Sequence, residues 1–98
     1  MSETNSILLA EDDQNLGGIL KSYLEAKGYP TNLNVDGKEA LETFKRGEFT
    51  FCILDVMMPV MDGFTLAKEI RKIDKDIPIL FLTAKAMQED KIMGFEVG

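Results

Sequence analysis

Two short apolar runs in this chain each end in acid. Ile7-Leu8-Leu9-Ala10 leads into Glu11-Asp12-Asp13, and Phe51-Cys52-Ile53-Leu54 leads into Asp55. Neither run alternates polar with apolar residues, so each reads as a strand covered on both faces, as in a parallel sheet between helices. Parallel neighbours end at the same edge, which brings Asp55 up to the acidic cluster. Ligands of open α/β sheets bind at that edge. Two unit charges about 4 Å apart repel by roughly 4 kcal/mol at an effective dielectric near 20. A hard divalent cation among the carboxylates, with Mg²⁺ the usual choice, removes that cost.

The rest of the chain repeats one theme. Leu16, Ile19, Leu20, Tyr23 and Leu24 have the spacing of one helix face, with Asp13 placed to cap its start and Gly28 to close it in the left-handed conformation. Tyr29-Pro30 marks a connection, Thr31 to Val35 a short strand, and Asp36-Gly37 a turn. Ala40, Leu41 and Phe44 give a second helix face, stopped at Gly47. Phe51 to Leu54 is the next strand, ending at Asp55. Val56 to Asp62 is irregular and holds Pro59. A third helix begins at Gly63, with Leu66, Ala67, Ile70 and Ile73 on its inner side, and Asp76-Ile77-Pro78 breaks it. Ile79 to Leu82 is a last apolar strand ending at Thr83, followed by a helix from about Met87 to Phe95 that uses Ile92 and Phe95. A β-α-β-α-β-α-β-α order with short links predicts a doubly wound parallel sheet with right-handed crossovers.

Three strand ends then converge on one crevice: Glu11-Asp12-Asp13, Asp55 and Thr83. With the first and third strands adjacent, this is the switch point of a flavodoxin-like sheet. The residue types suit phosphoryl transfer onto a carboxylate. Asp55 is the candidate nucleophile. Glu11 and Asp12 are candidates to hold Mg²⁺, and Thr83 to donate its hydroxyl to a phosphoryl oxygen. Asp13 fits a helix cap better than a metal ligand. Met57, Met58 and Met61 fit loop packing and partner surface better than soft-metal ligation. Lys85 is read as solvent-facing.

Composition narrows the class. The 98 residues make one small domain, 45% hydrophobic and 29% charged. A net charge of −6 argues against a nucleic-acid surface in this segment. The single cysteine, Cys52, lies within an apolar run and reads as a buried structural thiol. Met1 to Ser6 is polar without a basic region, and the apolar run after it is four residues long, so neither a signal peptide nor a membrane span is expected. The expected location is cytoplasmic.

Three blocks carry a family resemblance: Ile7 to Asp13, Leu54-Asp55-Val56-Met57-Met58-Pro59-Val60-Met61-Asp62-Gly63-Phe64, and Pro78-Ile79-Leu80-Phe81-Leu82-Thr83-Ala84. The middle block is the most specific, with Pro four residues and Gly eight residues after Asp55. The chain resembles the receiver domain of two-component response regulators, most of all those with a C-terminal winged-helix DNA-binding domain. The resemblance runs from Ile7 to Gly98. It implies a sheet order of 2-1-3-4, phosphorylation at Asp55, and direct Mg²⁺ ligation by Asp12 and Asp55. It also implies ligation by Glu11 through a water and by the backbone carbonyl of Met57. Pro59 stiffens the loop that presents this carbonyl, and Gly63 lets the loop turn into its helix. The implied partners are a sensor histidine kinase and an output DNA-binding domain.

In that family a fifth strand and fifth helix follow the fourth helix, and this chain stops at Gly98. Residues 1–98 are therefore expected to form a receiver domain incomplete at its C-terminus, prone to self-association through the exposed edge of the fourth strand. A receiver-like module that binds partners without being phosphorylated is the alternative for this segment. Other classes fit less well. A flavin carrier wants a hydroxyl- and Gly-rich phosphate loop where Glu11-Asp12-Asp13 stands. An Asp-nucleophile phosphatase wants a second Asp at the position of Met57, and a calcium loop lacks its terminal Glu.

Overall fold

The computed structural model describes residues 5–82, ordered β1 (Ile7–Ala10), α1 (Gln14–Ala26), β2 (Thr31–Asn34), α2 (Gly37–Arg46), β3 (Phe51–Asp55), α3 (Gly63–Ile73) and β4 (Ile79–Leu82). Thr83, Lys85 and the helix expected from about Met87 lie outside the described residues. The four strands form one parallel sheet in the order β2-β1-β3-β4. The register sets Ala10 opposite both Asn34 and Leu54, so β1 and β2 end level and β3 runs one residue further, to Asp55. A parallel sheet is what the alternation of elements predicts, and its flavodoxin-like order is the one the family resemblance implies.

Alternate residues divide the core. Leu8, Ala10, Cys52, Leu54, Ile79 and Phe81 face α2 and α3, which contribute Ala40, Leu41, Phe44, Leu66, Ala67 and Ile70. Ile7, Leu9 and Ile53 face the other way, against Leu20 and Leu24 of α1. Leu80 and Leu82 also lie on that second side and are only half-buried.

Among the described residues, each helix starts on an aspartate. Asp13, Asp36 and Asp62 accept hydrogen bonds from Leu16, Glu39 and Thr65 backbone N–H groups respectively, satisfying donors that have no partner inside the helix. Asp36 and Glu39 cap reciprocally, because Glu39 Oε1 accepts from the Val35 N–H at 2.9 Å. Gly28 closes α1 at φ +98°, a conformation natural to glycine.

Two expectations need correction. Ile73 is 52% exposed; α3 ends there, and Ile77 of the following connection is buried with Ile70 instead. On α1, Ile19 and Tyr23 are exposed. Gly17 is buried, and a side chain on it would meet Leu33 Cδ1 at 2.9 Å, so this close approach turns Leu20 and Leu24 toward the sheet and Ile19 and Tyr23 away. Among the described residues, no helix is long and apolar enough to cross a membrane.

Candidate functional site

Because Ala10 pairs with Leu54, the residues that follow them, Glu11 and Asp55, emerge side by side from the sheet edge. Backbone bonds fix both strand ends: Glu11 N–H donates to Asn34 O at 2.9 Å, and Val56 N–H to Leu82 O at 3.0 Å. Asn34 is itself buried, and its side chain accepts from the Thr43 hydroxyl at 2.8 Å, tying β2 to α2 just beside the site.

Glu11, Asp12 and Asp55 each present a carboxylate oxygen, and these oxygens lie within 4.8 Å of one another. Glu11 and Asp55 are buried, and Asp12 is exposed. Glu11 accepts from the Asp13 N–H at 3.1 Å, and Asp55 from the Met57 N–H at 3.3 Å. Burial, followed by the nearby charges of Asp55 and Asp12, pushes the Glu11 carboxyl up to about 7 against the lowering effect of the Asp13 N–H. Burial also raises Asp55, opposed first by its hydrogen bond with the Glu11 side chain and then by the Met57 N–H, and assisted by Asp12. The ion pairs Lys21–Glu25 and Lys72–Glu69 lie elsewhere on helix surfaces. Three hard oxygen donors crowded in this way match the chemistry of a Mg²⁺ site.

A cleft of about 490 Å³ is lined by Asp12 of this trio together with Val56, Met57, Met58, Pro59 and Asp62. Met57 therefore lines the same space as Asp12. Asp13 caps α1 and stands outside the trio. The three methionines differ in role: Met57 is 67% exposed, whereas Met58 and Met61 pack against the core. Thr83 lies outside the described residues. A second cleft, about 390 Å³, is lined by Ile7, Leu24, Tyr29, Phe51 and Ile53 with Asn5 and Thr50. It lies at the strand starts and has no charged lining group, so the chemistry belongs to the acidic edge.

Two glycines shape the site through backbone contacts that sequence signals do not specify. Gly63 was expected to let the loop turn into its helix, and the reason is now concrete. A side chain on it would collide with the Asp55 carbonyl and meet Val56 Cα at 2.9 Å. One on Gly37 would collide with the backbone of Met61. The Asp36-Gly37 pair read as a turn, and nothing in that signal tells which backbone would approach it.

Residues 7–98 match the family model for the response regulator receiver domain. Over all 98 residues the chain is 50% identical to the transcriptional regulatory protein RprY of Bacteroides fragilis, and it spans 42% of that protein's length. Among solved structures it resembles the response regulator TrrA of Thermotoga maritima, in complex with Mg²⁺ and BeF. The TM-score is 0.81 at 37% identity, over 89% of this chain and 76% of that one. The receiver domain of sensor histidine kinase PA1611 from Pseudomonas aeruginosa, with a magnesium ion coordinated in its active-site cleft, gives 0.80 at 32% identity, over 90% and 74%. Sheet order, acidic edge and sequence agree, and the chain belongs to the response regulator receiver domain family.

Proposed function

We propose that Asp55 accepts a phosphoryl group from the phosphohistidine of a sensor histidine kinase, in a Mg²⁺-dependent reaction. The observation that carries this reading is the gathering of three carboxylate oxygens within 4.8 Å of one another, two of them on buried residues and the third, on Asp12, lining a cleft. Asp12 and Asp55 would hold Mg²⁺ directly, Glu11 through a water, and the Met57 carbonyl would be a further ligand. Bound there, Mg²⁺ offsets the charge of the incoming phosphoryl oxygens.

The chain's own residues do the rest. A carboxylate oxygen of Asp55 attacks phosphorus while the bond from phosphorus to the imidazole nitrogen breaks. The imidazole leaves with the bonding pair and takes up a proton, and Asp55 becomes an acyl phosphate. The Met57 N–H, 3.3 Å from Asp55 Oδ1, orients the attacking group. Thr83, next in sequence after β4, donates its hydroxyl to the transferred group. Activity of the domain itself is limited to promoting its own phosphorylation and dephosphorylation.

Phosphorylation places roughly −1.5 to −2 charges where one carboxylate charge stood. That change biases the equilibrium between two states of the domain, and so alters docking of an output domain. In the whole protein the output is a winged-helix DNA-binding domain acting on transcription in the cytoplasm. Residues 1–98 make up one receiver domain. Its β4 has no strand partner on its outer edge among the described residues, and this edge favours self-association.

The test is incubation with a small acyl phosphate and Mg²⁺, followed by mass spectrometry. The expected product is one hydroxylamine-labile phosphate on the Asp55 peptide, lost on chelation and in Asp55→Asn. Incorporation that survives in Asp55→Asn would refute the assignment. Mg²⁺ binding without incorporation would instead favour a partner-binding module that is not phosphorylated.

A further inference from the structure

We propose that Gly37, the first residue of α2, positions the metal site by holding the loop from Val56 to Asp62 in place; this rests on the Mg²⁺-site reading above. The loop's two ends are pinned. Val56 N–H donates to Leu82 O at 3.0 Å, and Gly63 N–H donates back to Val56 O at 2.9 Å. Its middle is a tight turn, in which Met61 N–H donates to Pro59 O at 2.7 Å across Val60. Val60 sits at φ +71°. This is a strained conformation for a β-branched residue, and it persists only where surrounding structure forces it.

The forcing element is the first turn of α2. A Cβ on Gly37 would lie 2.7 Å from Met61 Cβ and 2.8 Å from Met61 C, and would collide with Met61 O. The helix start and the turn are thus in backbone contact. The helix cannot easily retreat, because Asp36 and Glu39 cap it reciprocally and Ala40, Leu41 and Phe44 anchor it in the core. Met57 and Pro59, on the same loop, line the cleft with Asp12. A push on Met61 is therefore passed along a short, doubly pinned loop to the residue whose carbonyl is assigned the metal role.

Gly37→Ala tests this. Outer-shell changes that disturb ligand placement weaken metal affinity by about tenfold or more, and that loss is expected in Mg²⁺ titration calorimetry well below the melting temperature. Ile70→Val, in the core under α3, should lower the melting temperature yet leave the Mg²⁺ Kd unchanged. A Gly37→Ala protein that folds and binds Mg²⁺ with wild-type affinity overturns the proposal. If that variant does not fold, Asp36→Ala releases the helix start without adding atoms, with Asp36→Asn as a control for the charge. Weaker binding in Asp36→Ala than in Asp36→Asn is expected, and equal binding overturns the proposal. A Mg²⁺ affinity untouched by Asp12→Asn would sink the site reading itself, and this inference with it.

Discussion

Asp55→Asn should make the metal-free protein more stable, and Mg²⁺ should reverse the order. At 4.8 Å, the outer limit of the oxygen separations in the trio, an ionised pair repels by about 3.5 kcal/mol at an effective dielectric near 20. The substituted amide would keep an oxygen for the Met57 N–H while removing the repulsion between Asp55 and Glu11. Halving for solvent screening at the sheet edge leaves about 2 kcal/mol, or roughly 8–16 °C in melting temperature for a domain of this size. The gain depends on pH. Glu11 is raised to about 7 in the fold, so the folded state binds its proton more tightly than the unfolded chain does. That stabilisation is complete at low pH and is lost as pH rises through about 7. The advantage of Asp55→Asn is therefore largest near pH 8 and shrinks near pH 5.5. Saturating Mg²⁺ at a hundredfold Kd adds about 2.7 kcal/mol to the wild type, and little to a variant lacking a ligand. Thermal melts in EDTA and in Mg²⁺ at the two pH values measure all of this. The reasoning fails if Asp55→Asn is no more stable than wild type in EDTA at pH 8, or if Mg²⁺ stabilises both equally.

Other consequences are simpler. Ile70 is fully buried, so Ile70→Ala should cost about 2–5 kcal/mol in denaturant melts while leaving Mg²⁺ affinity intact. Asp62→Ala removes the α3 cap and should cost about 1 kcal/mol. Because the Thr65 N–H holds the Asp62 carboxyl below its ordinary value, that cap stabilises the fold at neutral pH and fades as pH falls through the lowered value. Sedimentation of the 98-residue chain should show association that weakens when charge is placed on β4, as in Leu80→Lys. A compact monomer at all concentrations would contradict the edge argument.

Much of this fold is legible in the residues because local signals agree with the tertiary arrangement. The uninterrupted apolar runs mark strands buried on both faces, and α1, α2 and α3 each have their own aspartate cap. The acidic edge follows from strand order, since two runs ending in acid can meet only if their strands are parallel and adjacent. Less legible was which part of a wide apolar stripe turns inward. On α1 the answer depends on Gly17, whose missing side chain admits Leu33. Ile77 lay within a segment read as a helix breaker, yet it fills the core where Ile73 was expected. No local signal marks Asn34 as buried, yet its side chain is enclosed through its bond with Thr43. The contact between Gly37 and Met61 joins residues far apart in sequence, and no short-range pattern encodes it.

The account depends on strand tips that gather oxygens into a metal cage. Adding Mn²⁺ in place of Mg²⁺ and following paramagnetic broadening of backbone amide resonances tests that most directly. Signals from Glu11 to Asp13 and from Asp55 to Met57 should vanish first, at substoichiometric metal, while those of Lys45 and Glu69 persist. Broadening spread evenly over the acidic surface, with Asp55 no more affected than Glu69, would contradict it.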